Sequence, residues 1–303
     1  MMKEPLPFKN LKSKPHSTDK DKIELFDENG NSRGFYSKKN KLNELTGKEW
    51  QYWSKSVINK QYPPTLQLKL RNQHGGQKPP ELCADLIKVF TKSEMRILDP
   101  FAGVGGTLLG ASLCNRKAVG IEINPKWVEI YKKVCELERI PLQDMRIGDS
   151  KELLKSETIE SYDLILTDVP YWNMDKVSRS KGKFKKTGEK AVTGIKSKLS
   201  LFNEEPIQTK EEWLKNMHDI FDLCFPLLKP RSYLVVFIGD MYKNGRYHFL
   251  SNDLAIILES VGFIPKANLI WYDVSNKLSI YGYRYEFIPS MIHQNILIFR
   301  KEL

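Results

Sequence analysis

Between residues 80 and 261 short apolar runs and longer amphipathic stretches take turns along the chain, and this alternation limits its fold most. Runs at 96–99, 118–123, 145–148, 163–167 and 233–239 are rich in Ile, Leu and Val and have strand length. Apolar periodicity predicts helices over 80–90, 107–115, 125–137, 151–156, 210–228 and 251–261. A strand–helix–strand repeat buries both faces of a sheet under helices, which makes the sheet mostly parallel and doubly wound. Two more runs, 267–272 and 295–300, have only a loop between them and predict an antiparallel hairpin at one edge. The expectation is therefore an α/β fold with a seven-stranded, mostly parallel sheet, an antiparallel C-terminal hairpin and helices on both faces.

Ligands of open α/β sheets bind at the carboxyl ends of the strands, near the point where strand order reverses. The run Asp99-Pro100-Phe101-Ala102-Gly103-Val104-Gly105-Gly106-Thr107 sits at such an end and leads directly into a helix. Its glycines permit a tight turn and close backbone approach, and the helix start offers free N–H groups. A dinucleotide site wants a third glycine where this chain has Leu108. An acid before the turn repels pyrophosphate and suits a ligand with an ammonium group, such as the methionine part of S-adenosylmethionine. Glu122, ending the second strand, can accept hydrogen bonds from both ribose hydroxyls, and Asp149, after the third, can receive an adenine amino group. Three acids at three consecutive strand ends make one coherent site.

The run 99–107 resembles the cofactor motif of the amino-methylating DNA methyltransferases, the N6-adenine and N4-cytosine enzymes. Gly76-Gln77-Lys78-Pro79-Pro80-Glu81-Leu82 is similar to the segment that, in that family, precedes the motif and closes over the methionine part. Gly120-Ile121-Glu122-Ile123-Asn124-Pro125 and the run 294–301 also match family patterns, so the resemblance covers roughly residues 76–303. It implies a Rossmann-like methyltransferase fold with S-adenosyl-L-methionine as cofactor and no metal. The cofactor-binding residues implied are Lys78, Pro79, Glu81, Asp99, Pro100, Phe101, Gly103, Gly105, Thr107, Glu122, Ile123, Asp149 and Ser150.

Asp168-Val169-Pro170-Tyr171, ending the fourth strand, carries the chemistry. An exocyclic base amine is a weak nucleophile because its lone pair is delocalised into the ring. Acceptors that hold both amino hydrogens favour a tetrahedral nitrogen and draw off charge as it develops. The Asp168 carboxylate and the Val169 carbonyl supply two, Tyr171 offers a stacking face for an extruded base, and Trp172 a second wall. The family pattern is Asp/Asn/Ser-Pro-Pro-aromatic, from which this chain departs at Val169. Asp as the first residue favours N6-adenine over N4-cytosine. RNA base amino-methylation, and nucleic-acid binding without turnover, are the alternatives.

The chain has 48 Lys plus Arg against 37 Asp plus Glu, a surplus that favours polyanionic partners. Nine of those cations lie in 173–198 against two acids, just after the catalytic run. This basic loop, extending to 206, places Lys176, Arg179, Lys181, Lys183, Lys185 and Lys186 with Trp172 as candidate substrate-binding residues that grip phosphates beside a flipped base. Residues 1–75 form an N-terminal arm that could read the substrate, with residues 76–303 as the catalytic domain. Within the arm, residues 1–45 read as irregular and 46–59 as a helix. DNA is the expected partner, and a cognate restriction endonuclease is implied by the resemblance. None of the four cysteines forms a CxxC pair, so they read as reduced thiols. No run approaches the length of a membrane helix, and a cytoplasmic location is expected.

Overall fold

A computed structural model describes residues 19–172 and 209–302, apart from 28, 274–277, 279, 281 and 283. The chain opens with a hairpin of β1 (Lys22–Phe26) and β2 (Ser32–Ser37), then α1 (Gly47–Trp53), β3 (Val57–Ile58) and α2 (Leu68–Arg71). The hairpin corrects the reading of residues 1–45 as irregular. Its residues alternate Lys22, Ile23, Glu24, Leu25, but both faces stay largely open to solvent, so no apolar face announces the strands. Helix α1 starts at a capping box: the Thr46 hydroxyl accepts from the Glu49 N–H while the Glu49 carboxylate accepts from the Thr46 N–H.

The regular alternation follows as α3 (Pro80–Phe90), β4 (Arg96–Asp99), α4 (Gly106–Leu113), β5 (Lys117–Glu122), α5 (Pro125–Glu138), β6 (Asp144–Ile147), α6 (Ser150–Leu153) and β7 (Tyr162–Asp168). After the basic segment come α7 (Lys210–Leu227), β8 (Leu228–Ile238), β9 (Met241–Lys243), β10 (Arg246–His248), α8 (Leu250–Val261), β11 (Ile264–Tyr272) and β12 (His293–Arg300).

Eight strands form the main sheet in the order β3-β11-β12-β8-β7-β4-β5-β6. Five of them, β8-β7-β4-β5-β6, run parallel, and β12 is antiparallel to both β8 and β11, as expected. The eighth strand is β3, which pairs parallel with β11 through Val57 and Ile58. It lies inside the segment 46–59 expected to be helical. The helix ends at Trp53 because the backbone of Ser56 is taken up by the sheet, accepting from the Ile270 N–H at 2.8 Å.

Both faces of the central strands are buried, which explains their unbroken apolar runs. Ile97, Leu164, Leu166, Val235 and Phe237 point into one core cluster beneath α3, α4 and α5. Leu98, Ile165, Val236 and Ile238 alternate with them and point into a second, beneath α7 and α8. Strand order reverses between β4 and β7: the chain builds outward through β5 and β6, then returns to the other side of β4. That switch point brings the ends of β4 and β7 together.

Gly105 caps the start of α4 with φ +76°, and a Cβ there would stand 2.2 Å from Tyr131 Cδ2. Gly105→Ala is expected to destabilise the fold by roughly 2–4 kcal/mol, from left-handed strain plus displacement of a buried ring. Urea unfolding of the two proteins checks this, and a loss below about 0.5 kcal/mol would contradict it.

Candidate active site

Asp99 ends β4 and is 2% exposed. Its Oδ1 accepts from the Thr167 hydroxyl at 2.6 Å and from the Phe101 N–H at 3.0 Å. Thr167 is the penultimate residue of β7, so one hydroxyl links the two strand ends at the switch point. Burial raises the Asp99 carboxyl to about 6, and the hydrogen bond from Thr167 only partly offsets this. Glu122 ends β5 and spends both oxygens on backbone: Oε2 accepts from Gly103 N at 2.9 Å, Oε1 from Asn124 N at 2.8 Å. Burial raises it to about 7. Glu122 therefore shapes the glycine turn from below while its carboxylate stays short of positive charge.

Asp168 ends β7 beside this pair. Its Oδ2 accepts an ion-paired hydrogen bond from Lys78 Nζ, and its Oδ1 is buried without a hydrogen-bond partner. Burial raises its pKa, and the Lys78 ammonium pulls the other way. The Tyr171 hydroxyl is also buried beside Asp168, and burial first, then the Asp168 charge, raise its pKa well above the ordinary value. The Tyr171 ring packs on Gly239, where a Cβ would come within 3.2 Å of Cε2.

The substitution at Val169 has a structural compensation. Its side chain is 2% exposed and joins the core cluster under α7. From the same helix, Trp213 Nε1 donates to the Pro170 carbonyl at 2.7 Å. A buried side chain and a buried indole thus hold the turn that a second proline ring holds in the family pattern.

A cleft lies over these groups, lined among others by His74, Lys78, Asp99, Phe101, Gly103 and Asp168. From the cofactor set read in the sequence, Lys78, Asp99, Phe101, Gly103 and Thr107 line it, together with Asp168. The others are not among its lining residues. Pro79 caps the start of α3, and Glu81 turns away to accept from the Thr65 hydroxyl. Ser150 donates to the Pro100 carbonyl at 2.5 Å, fixing the turn after Asp99. Asp149 caps α6 through the Lys151 N–H, and Ile123 is exposed. Trp172 stacks edge-on against His248 at 5.1 Å with Lys243 Nζ 4.4 Å above its ring. Lys176, Arg179, Lys181, Lys183, Lys185 and Lys186 lie outside the described residues.

Three contributors were not singled out in the sequence. His74 lies over Gly103 and is pushed down to about 4 by burial and the nearby Lys78 ammonium, so it stands as a neutral imidazole. Phe237, on β8, forms the far wall. Arg71, 1% exposed, donates to the Leu66 carbonyl at 2.7 Å, to the Thr65 carbonyl at 2.9 Å and to the Gln77 side chain. A lone His, Phe or Arg gives no spacing signal; His74 and Phe237 act here through contacts distant in sequence, and Arg71 through an irregular local loop.

Known proteins match this arrangement. The N6/N4 methyltransferase family, described as DNA methylase, matches residues 3–133 and 162–302. The tRNA (guanine(10)-N2)-dimethyltransferase of Pyrococcus abyssi is 31% identical over 93 residues, 31% of this chain and 28% of that protein. Type II methyltransferase M.HindIII of Haemophilus influenzae is 48% identical over 54 residues, 18% of this chain and 18% of that protein. The chain thus spans less than a third of either relative's length. Among solved structures, TrmN from Thermus thermophilus superposes with a TM-score of 0.48 at 14% identity, covering 76% of this chain and 52% of that one. Because the family match takes in both strand ends of the switch point, the chain belongs to the N6/N4 DNA methylase family, whose cofactor is S-adenosylmethionine.

Proposed function

We propose that this chain transfers a methyl group to an exocyclic amino group of a DNA base, with adenine N6 favoured over cytosine N4. The observation that carries this reading is Asp168, whose buried Oδ1 has no hydrogen-bond partner, lining one cleft with the buried Asp99 and the Gly103 turn. The donor set suits S-adenosylmethionine. Asp99 and Glu122 are carboxylates held above their ordinary range by burial, and an ammonium and ribose hydroxyls answer them. The cofactor supplies an electrophilic methyl group on a sulfonium.

Everything else in the reaction falls to the chain. Asp168 Oδ1 accepts one amino hydrogen of an extruded base and the Val169 carbonyl the other, which turns the nitrogen lone pair out of the ring plane. Tyr171 stacks against the base, and Asp168 takes the proton once the new N–C bond has formed. Lys78, Pro79, Glu81, Pro100, Phe101, Gly105, Thr107, Ile123, Asp149 and Ser150 line or support the cofactor pocket. Trp172 and the basic segment 173–206 bind the flanking strand, residues 1–75 contribute to recognition, and a restriction endonuclease is the natural companion of such an activity.

RNA is the second reading, because one relative acts on tRNA guanine N2 and uses the same chemical class of amine. Incubation with labelled cofactor and either duplex DNA or total RNA separates the two. Label is expected in DNA, and nucleoside mass spectrometry is expected to identify N6-methyladenine. Label in RNA alone replaces the DNA assignment, and label in neither defeats both.

A further inference from the structure

Lys78 belongs to a segment whose implied task is to close over the methionine part of the cofactor. Its ammonium goes elsewhere. The side chain is 6% exposed and crosses the cleft to Asp168 Oδ2, ninety positions along the chain. On the way Nζ lies 5.3 Å from the Phe237 ring centroid and 5.8 Å from that of Tyr171, so aromatic faces as well as the carboxylate hold the charge. A lysine this buried is rare unless it is paired, and the partner is the group that must accept hydrogen from the target amine.

We propose that Lys78 is a positioning residue for methyl transfer: by holding Asp168 through Oδ2 it leaves Oδ1 as the oxygen presented to the amine, and it supplies the counter-charge that keeps this carboxylate an acceptor. The inference rests on the methyl-transfer reading above and deepens it.

The step balances. The amine lone pair forms the N–C bond to the methyl group, and the methyl leaves the sulfonium, whose bonding pair stays on sulfur. The N–H bond to Asp168 Oδ1 then breaks, its electron pair returns to nitrogen, and Asp168 becomes the neutral acid. Lys78 keeps all its protons throughout. Before the step it faces an anion and afterwards a neutral carboxyl, so product formation weakens the ion pair that holds the strap at Lys78 against the catalytic turn. The surroundings need such a cation. Asp99 and Tyr171 both feel the Asp168 charge, and Cys83 on α3 is buried nearby with its thiol held neutral. His74, the other basic group at the cleft, is neutral. Without Lys78, burial acts on Asp168 against only the smaller contribution of Tyr171 and favours its protonated form, which has no use as an acceptor.

The test is a carboxyl-carbon NMR titration of aspartate-labelled wild type, K78R and K78M, with D168N identifying the Asp168 signal. No nucleic acid enters it, so it reads Lys78 whatever the target proves to be. The Asp168 midpoint is expected to move to higher pH in K78M and to stay near wild type in K78R; an unmoved midpoint in K78M overturns the proposal. Should K78M not fold, the Lys78 side-chain nitrogen signal of wild type is expected to record the Asp168 titration and to lose that step in D168N. Absence of the step in wild type overturns the proposal equally. In turnover assays K78M is expected to lose about 10²-fold in kcat with the cofactor Kd within about threefold of wild type. A Kd that rises as steeply as kcat falls would assign Lys78 to the cofactor instead. If wild type methylates no nucleic acid, the proposed function fails while the titrations still decide the role of Lys78.

Discussion

Asp168→Asn is expected to reduce methyl transfer by roughly 10²–10⁴-fold while cofactor affinity stays near wild type. Asparagine keeps the shape of the side chain, and its carbonyl can still face one hydrogen, but it cannot take a proton. The choice of Asn over Ala follows from the ion pair. Either change removes the anion beside the Lys78 ammonium, which is buried against two aromatic rings, but the Asn carbonyl still accepts a hydrogen bond from it, whereas Ala leaves it with no acceptor, a loss of about 3–5 kcal/mol when one partner of a buried pair is deleted. D168A therefore confounds lost chemistry with lost folding. Transfer of labelled methyl to DNA gives the rate, calorimetry with the cofactor the affinity, and a thermal melt the stability. A variant that retains more than about a tenth of the wild-type rate removes Asp168 from the proton path.

Asp99→Asn is expected to act oppositely on two properties. Cofactor affinity should fall roughly 30- to 1,000-fold at pH 8, as for truncation of a buried charged partner. The protein without cofactor should meanwhile become more stable at that pH. The sign follows from the shift: Asp99 is raised from 3.8 to about 6, chiefly by burial, so the folded chain holds this proton more tightly than the unfolded chain does. That contribution is complete below about pH 4 and is lost as pH rises through 6. Above 6 the folded state carries a buried anion that the unfolded state solvates freely. Asn has no such charge and can still accept from Phe101 N and Thr167. The melting temperature of D99N should exceed that of wild type at pH 8, and the gap should close between pH 6 and 4. Cofactor binding by wild type should weaken first as pH falls through 7, where Glu122 gains its proton, and further as pH falls through 6, where Asp99 does. A D99N melting temperature below that of wild type at pH 8 contradicts the assignment of strain to this carboxylate.

These two acids were legible because local rules set their places. Asp99 closes an apolar run and precedes a glycine turn, and β4 and α3 occupy the bounds that periodicity predicts. Asp168 closes another such run. Their adjacency followed from strand order, which right-handed crossovers restrict strongly. What sequence could not give was whatever depends on distant partners. Strand β3 is two residues long and pairs with β11, more than two hundred positions later. The β1–β2 hairpin has alternation but no buried face to make the alternation apolar. Val169 looked like a plain departure from a pattern until Trp213 was found fixing the neighbouring carbonyl. Lys78 carried a family role in cofactor closure, and nothing in that pattern announced its reach to Asp168, ninety positions on.

The Arg71 guanidinium ties Leu66 and Thr65 on one side to Gln77 on the other, so both ends of the segment between are anchored. Between those anchors lies the short stretch of His74, Gly75 and Gly76, which roofs the glycine turn, with the His74 ring edge-on to Trp127 at 5.1 Å. One guanidinium thus gathers both flanks of the roof, through the Leu66 and Thr65 carbonyls and the Gln77 side chain, and none of these contacts belongs to the sheet. The cover over the glycine turn and the strands beneath it are held by separate sets of bonds, so a change at Arg71 loosens the first without reaching the second.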